Sequence, residues 1–213
     1  MDKIDVIQKI RKEKIITVIR SDSQEEMENI IDAIVKGGIH LIEITMTVPN
    51  ALTIIENVVK KYKDTDVSIG AGTVLDAQTA RLAINAGAHF LVSPVFDEEV
   101  MKLCNRYRVL MIPGIATPTE ANRAMEHGAD IVKLFPRNAY GPEIIKVFRG
   151  PFPYIQIVPT GNISLEDADK WTNSGAIAIG VGAEIVNPAK KGDFEKTTEM
   201  AKLFKEKLSL FTV

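Results

Sequence analysis

Lys133 sits in the middle of Asp130-Ile131-Val132-Lys133-Leu134-Phe135-Pro136, a run that reads as a short buried β-strand. Gly128-Ala129 leads into it and Pro136 stops it. An ammonium there is costly unless it is paired, or loses its proton and is used. Glu43 lies within a second strand-like run, Leu41 to Met46, and Arg20 ends a third, Ile15 to Arg20. Apart from Asp130 at the entry of the Lys133 run, these three are the charged side chains inside the eight strand-like runs, and the surface charges fall on the intervening helices. A lysine free in water is almost wholly protonated at neutral pH. Removal from water or a neighbouring cation such as Arg20 favours the neutral amine, and an ionised carboxylate close by opposes it. A neutral lysine amine attacks a ketone to form a Schiff base. The iminium then draws electrons from an adjacent C–C bond, which breaks or forms through an enamine. That chemistry needs a group to move protons, and Glu43 is the carboxylate available for it. The alternative reading is a buried structural ion pair, which is often no more stabilising than apolar packing.

The elements that must position these residues alternate between strand and helix. Strand-like runs are Ile15–Arg20, Leu41–Met46, Ser68–Val74, Phe90–Val95, Leu110–Ala116, the Lys133 run, Ile155–Thr160 and Ala176–Gly182. A helix leads from Ile4 to Glu13. Capping boxes are predicted at Ser23-Gln24-Glu25-Glu26 and at Thr117-Pro118-Thr119-Glu120, where proline takes the first helical position. Asp76 and Ser164 are further caps, a helix spans Gly141 to Phe148, and an amphipathic helix from Phe194 to Leu208 ends the pattern. The strands recur every 20 to 26 residues or so, room for one helix per parallel crossover. Eight such units predict a single (β/α)8 TIM barrel with an extra N-terminal helix over residues 1–213, compact beside the typical length of about 250. An open doubly wound sheet fits less well, since no G-x-G-x-x-G follows the first strand. In the barrel, strands two and six are both even and lie opposite one another. Glu43 and Lys133 therefore share a layer and meet near the axis, and Arg20 lies at the rim that carries active sites.

With 213 residues, 46% hydrophobic and 25% charged, the composition is that of an ordinary globular protein. A net charge of -2 gives no nucleic-acid footprint and no polybasic membrane signal. The first residues lack the apolar run of a signal peptide, and no run is long enough to span a membrane. The one cysteine, Cys104, forms no internal disulfide, reads as a buried small residue, and makes the cytoplasm the default location. His40, His89 and His127 lie apart without metal-ligand spacing, so neither a metal site nor any cofactor is expected.

Loops at the strand ends supply candidate binding groups. Gly70-Ala71-Gly72-Thr73 lets backbone approach a ligand and offers the Thr73 hydroxyl to a carboxylate. Thr160-Gly161-Asn162 and Gly180-Val181-Gly182-Ala183 occupy loops seven and eight, where this fold commonly cradles phosphate on backbone N–H groups. Neither loop carries Lys or Arg, so an anion site there is neutral. Arg137, just past the sixth strand, reads as a solvated loop residue or a source of charge.

Together these residues resemble a known family. Glu43-Ile44-Thr45, Gly70-Ala71-Gly72-Thr73-Val74, Val92-Ser93-Pro94, Ile112-Pro113-Gly114, Lys133-Leu134-Phe135-Pro136, Gly150-Pro151-Phe152 and Pro159-Thr160-Gly161 are similar to the 2-keto-3-deoxy-6-phosphogluconate / 4-hydroxy-2-oxoglutarate aldolases. The resemblance covers nearly the whole chain. It implies a class I aldolase, usually a homotrimer, that cleaves a 2-keto-4-hydroxy acid to pyruvate and an aldehyde. Lys133 falls on the Schiff-base lysine, Glu43 on the acid/base, Thr73 on a residue for the pyruvyl carboxylate, and Pro94 and Phe135 on the pocket lining. Thr47 stands where many members have a carboxylate-binding arginine, and Arg20 at the end of the neighbouring strand is expected to supply that charge. Asn162 replaces a glycine and Ala183 a serine of the family's phosphate site, so phosphate preference is expected to be lessened. The remaining readings are a barrel epimerase acting by proton transfer on a sugar phosphate, and a silent keto-acid binder. The axial Lys133 argues against the first, and the retained pair against the second.

Overall fold

The structure, a computed structural model, describes residues 2–21 and 23–210. Its parallel strands are β1 (Ile15–Ile19), β2 (Leu41–Thr45), β3 (Ser68–Gly72), β4 (Phe90–Val92), β5 (Leu110–Ile112), β6 (Gly114–Ile115), β7 (Val132–Leu134), β8 (Ile157–Gly161) and β9 (Ile179–Val181). They bond in the order β5-β4-β3-β2-β1-β9-β8-β7-β6. The two ends of that series, β5 and β6, are consecutive in the chain with only Pro113 between them, so they act as one broken stave that closes the ring. Proline has no N–H to give. Gly114 N–H instead turns to the Val95 carbonyl at 3.2 Å, while the Pro113 carbonyl accepts from Lys133 N–H at 2.8 Å. Only glycine fits there, since a Cβ on Gly114 would stand 2.1 Å from the Pro94 carbonyl. The result is a (β/α)8 barrel with an extra N-terminal helix, as the spacing predicts.

The helices are α1 (Lys3–Glu13), α2 (Gln24–Lys36), α3 (Ala51–Lys61), α4 (Ala77–Asn85), α5 (Glu98–Tyr107), α6 (Pro118–Glu126), α7 (Ile144–Arg149), α8 (Ala168–Asn173), α9 (Ala183–Val186) and α10 (Phe194–Ser209). Alternation along each strand splits the core into two shells. Ile15, Ile19, Ile42 and Ile44 pack outward against helices, while Ile16, Leu41, Phe90, Leu110, Ile131 and Val158 fill the barrel. Helix α1 seals the N-terminal mouth by inserting Val6 and Ile10 into that inner shell. Its polar residues hold it there: Lys3 pairs with Asp130 at 2.6 Å, Lys9 with Asp66 at 3.0 Å, Glu13 with Lys205, and Arg11 donates to the Gln156 amide oxygen at 2.9 Å. Chemistry is thereby confined to the other end of the strands.

Several local expectations are refined. The Thr117 capping box forms with both bonds, but at Ser23 only half of it does. The Ser23 hydroxyl takes the Glu26 N–H at 3.1 Å, while the Glu26 carboxylate turns away to the Ser21 hydroxyl. The helix predicted from Gly141 opens with three-residue bonds from Ile144 to Gly141 and from Ile145 to Pro142, so its α-helical part starts only at Ile144. A short α9, not anticipated, follows β9. At the sealed mouth the fold gathers His40, Asp66 and Glu13, distant in sequence, with ligand atoms within 4.8 Å of one another. Both carboxylates there are already ion-paired, to Lys9 and Lys205.

Cys104 is buried, and burial pushes its thiol up to about 12, which makes it an inert core residue. His89 accepts the Ile69 N–H at 3.0 Å through Nδ1, and burial holds its pKa below the ordinary histidine value. Between the lowered folded value and the unfolded value near 6.5, the unfolded chain carries a proton that the folded one lacks. Stability conferred by this group is therefore complete above that window and drains as pH falls through it. Replacing His89 by Gln keeps an acceptor for Ile69. Urea unfolding at pH 7 and pH 5.5 should show a smaller loss on acidification for the variant than for the parent chain.

Candidate active site

Among the described strands only two side chains are charged, Glu43 on β2 and Lys133 on β7, and both point into the barrel. Parallel pairing puts Val18 and Gly70 beside Glu43, and Gly114 and Val158 beside Lys133. Lys133 Nζ lies 3.9 Å from Glu43 Oε1, with the side chains 6% and 3% exposed. That is within ion-pair range and beyond hydrogen-bonding range. Glu43 Oε1 is fully buried and accepts no hydrogen bond from the protein. An unsatisfied buried carboxylate oxygen is a destabilising arrangement, and its persistence is the feature of the site most in need of a chemical reason. The Phe135 ring faces the amine, 5.2 Å from Nζ to the centroid.

Two glycines of β3 create this geometry. A Cβ on Gly72 would stand 2.0 Å from Glu43 Oε1, so the carboxylate occupies space that any other residue would fill. A Cβ on Gly70 would lie 2.4 Å from the Phe90 ring, and Phe90 is the largest side chain of the inner shell. Gly70 therefore admits the apolar floor, and Gly72 admits the acid above it. On the opposite wall Gly180 makes room for the Thr160 hydroxyl, which a Cβ would meet at 2.4 Å.

The other residues singled out from sequence ring the C-terminal mouth. Arg20 follows β1 directly and is exposed. Its neighbours Val18 and Ile19 are in register with Glu43 and Ile44. Thr47 is exposed on the turn after β2, and its hydroxyl lies 2.9 Å from that of Thr45. Thr73 adopts a left-handed backbone at φ 58, turning the chain out of β3 above the acid. Pro94 and Phe135 are half-buried at the ends of β4 and β7, and Thr160 is buried on β8. Gly161, at φ 154, leads into the exposed Asn162, and Gly182 with the exposed Ala183 opens α9. Sequence reasoning passed over Glu184, whose carboxylate accepts the Leu165 N–H at 3.0 Å and ties loops seven and eight together. A carboxylate on the first turn of a short helix carries no sequence signal for such a contact.

The two glycines separate stability from the site. Gly70→Ala collides with a rigid ring in a filled core and should cost on the order of 1–3 kcal/mol in urea unfolding. Gly72→Ala should fold with a smaller loss, and a crystal structure of that variant should show the Glu43 carboxylate displaced from Lys133.

The family model for KDPG and KHG aldolases matches residues 6–200. The chain is 36% identical over 172 residues to the 2-dehydro-3-deoxy-phosphogluconate aldolase of Pseudomonas aeruginosa, covering 80% of this chain and 77% of that protein. It is 29% identical to the 2-dehydro-3-deoxy-6-phosphogalactonate aldolase of Escherichia coli K12, covering 89% and 92%. Among solved structures, KDPG aldolase from Legionella pneumophila, with pyruvate captured as a covalent carbinolamine, superposes with a TM-score of 0.84 at 27% identity, covering 91% of this chain and 94% of that one. An amine facing an acid inside a closed barrel and a family match over nearly all of the chain lead to one conclusion: the chain belongs to the KDPG and KHG aldolase family of class I, Schiff-base aldolases.

Proposed function

We propose that this protein reversibly cleaves a 2-keto-4-hydroxy acid to pyruvate and an aldehyde, with Lys133 as nucleophile and Glu43 as acid/base. The observation that carries this reading is the buried Glu43 oxygen, 3.9 Å from Nζ and otherwise unpartnered. The Lys133 amine attacks the C2 carbonyl to give a carbinolamine. Its hydroxyl falls between the two side chains, where Glu43 protonates it to leave as water. The C4 hydroxyl then gives its proton to the same carboxylate. The C3–C4 bond breaks, its electrons pass to the iminium, and the aldehyde departs. The remaining enamine takes a proton at C3, and water hydrolyses the pyruvyl iminium to release pyruvate and restore the amine.

Arg20 and Thr73 bind the C1 carboxylate in this reading, and Thr47 takes the place of the second-strand arginine without its charge. Pro94 and Phe135 line the pyruvyl pocket. Thr160, Gly161, Asn162, Gly182 and Ala183 receive the aldehyde half. The substrates are a 2-keto-3-deoxy-6-phospho sugar acid, yielding glyceraldehyde 3-phosphate, and 4-hydroxy-2-oxoglutarate, yielding glyoxylate. Asn162 brings a side chain into the cradle and Ala183 brings no hydroxyl, which supports a lessened preference for the phosphorylated acid. A cytoplasmic homotrimer completes the reading.

Pyruvate release from both acids tests the proposal. Lys133→Ala should abolish turnover, and Glu43→Gln should lower kcat by about 10²–10⁴-fold, the usual worth of a positioned acid/base. Full activity in Lys133→Ala would refute the covalent route. A phosphorylated acid favoured by several orders of magnitude in kcat/KM would refute the lessened preference. Arg20→Ala should raise KM for every pyruvyl substrate while leaving kcat comparatively unaffected, and an unchanged KM would remove Arg20 from the carboxylate site.

A further inference from the structure

Among the described residues, the loops leaving the C-terminal ends of the strands carry two cations, Arg20 after β1 and Arg137 after β7. In ring order they flank one half of the mouth, with β9 and β8 between them. Arg137 is held without a direct ion pair: the Asp167 carboxylate feels its charge but is bonded to Lys170 at 2.6 Å. Its Nη2 donates to the Asn162 carbonyl, and its guanidinium lies 5.8 Å from the centroid of the buried Trp171 ring. Its stem crosses Gly161, whose Cβ would stand 2.8 Å from Arg137 Cγ, so the glycine is what lets the arginine lie over the loop. Its Nε is buried with no acceptor, and among the described residues no carboxylate lies within ion-pair distance of it. A neutral carbonyl and an aromatic face orient a guanidinium but leave its charge and remaining donors for an anion.

Both substrate classes proposed above carry a second anion at the end remote from C1, a phosphate or a carboxylate. Arg20 and Lys133 engage C1 and C2, and the rest of the molecule extends across the loops after β8 and β9, the first of which Arg137 overlies. We propose that Arg137 is a specificity-determining residue that binds this distal anion and selects doubly anionic keto acids over those with a neutral end. The inference rests on the aldolase reading. It also accounts for how loops lacking Lys and Arg of their own accept an anionic aldehyde half.

The test compares the parent chain, Arg137→Lys and Arg137→Ala on three acids: 2-keto-3-deoxy-6-phosphogluconate, 4-hydroxy-2-oxoglutarate and unphosphorylated 2-keto-3-deoxygluconate. In Arg137→Ala the ratio of kcat/KM for each anionic acid to that for the neutral-ended acid should fall about 10- to 100-fold, the worth of a charged hydrogen bond. The loss should appear in KM, and Arg137→Lys should recover part of it. The larger loss identifies whether phosphate or carboxylate is the anion Arg137 serves. An equal fall on all three acids, matched by slower borohydride trapping of pyruvate on Lys133, would make Arg137 a brace for the Asn162 loop and overturn the proposal. Unchanged ratios would overturn it too. Calorimetry with glycerol 3-phosphate and with glyoxylate separates the two readings. An anion bound by the parent chain and lost in Arg137→Ala supports Arg137 even if pyruvate forms no adduct, and binding of neither anion by the parent chain overturns it.

Discussion

A lysine and a glutamate face each other inside a barrel whose described strands carry no other charge, and the rest of the architecture follows from that confinement. Taking two charged groups out of water costs several kcal/mol each, and their attraction offsets this only when the geometry is good and the other polar atoms are satisfied. Here the separation is 3.9 Å and one carboxylate oxygen has no partner. As a structural ion pair this is poorly made. As a pair that must admit a reacting carbon and its hydroxyl, the same spacing is useful, since catalytic contacts commonly tighten only once substrate is bound.

The surroundings enforce that arrangement from three sides. Below, Phe90, Leu110 and Ile131, together with Val6 and Ile10 from α1, exclude water from the sealed mouth. Beside the acid, Gly72 supplies the volume that its carboxylate occupies. Across the barrel, the break at Pro113 lets one stave bond to both neighbours, and the Pro113 carbonyl takes the N–H of Lys133 itself. Ring closure and placement of Lys133 are therefore parts of one hydrogen-bond pattern, while the open end is left to the loops.

Much of this was legible in the chain. Strands could be counted because buried parallel strands are continuous apolar runs, and the opposition of Glu43 and Lys133 followed from counting alone once a ring of eight was assumed. The family motifs added an expected role for several strand-end residues. What could not be read depends on choices between near-equivalent local partners. Glu26 carries the capping-box residue type yet bonds Ser21, and Glu184 reaches Leu165 across two loops. The gathering of His40, Asp66 and Glu13 needs the three-dimensional closure of the barrel's sealed end. Whether Arg137 is a solvated loop arginine or a source of charge stayed open in the sequence, because nothing in its neighbours' identities indicated that a glycine would let it lie over the next loop.

Whether the Lys133 amine is the covalent nucleophile is decided by the site of a trapped adduct. The protein is incubated with pyruvate, reduced with borohydride, digested and mapped by mass. A Lys133 nucleophile gives one reduced pyruvyl adduct, carried by the peptide containing Lys133 and absent from Lys133→Ala. No adduct, or one that persists in Lys133→Ala, would contradict it.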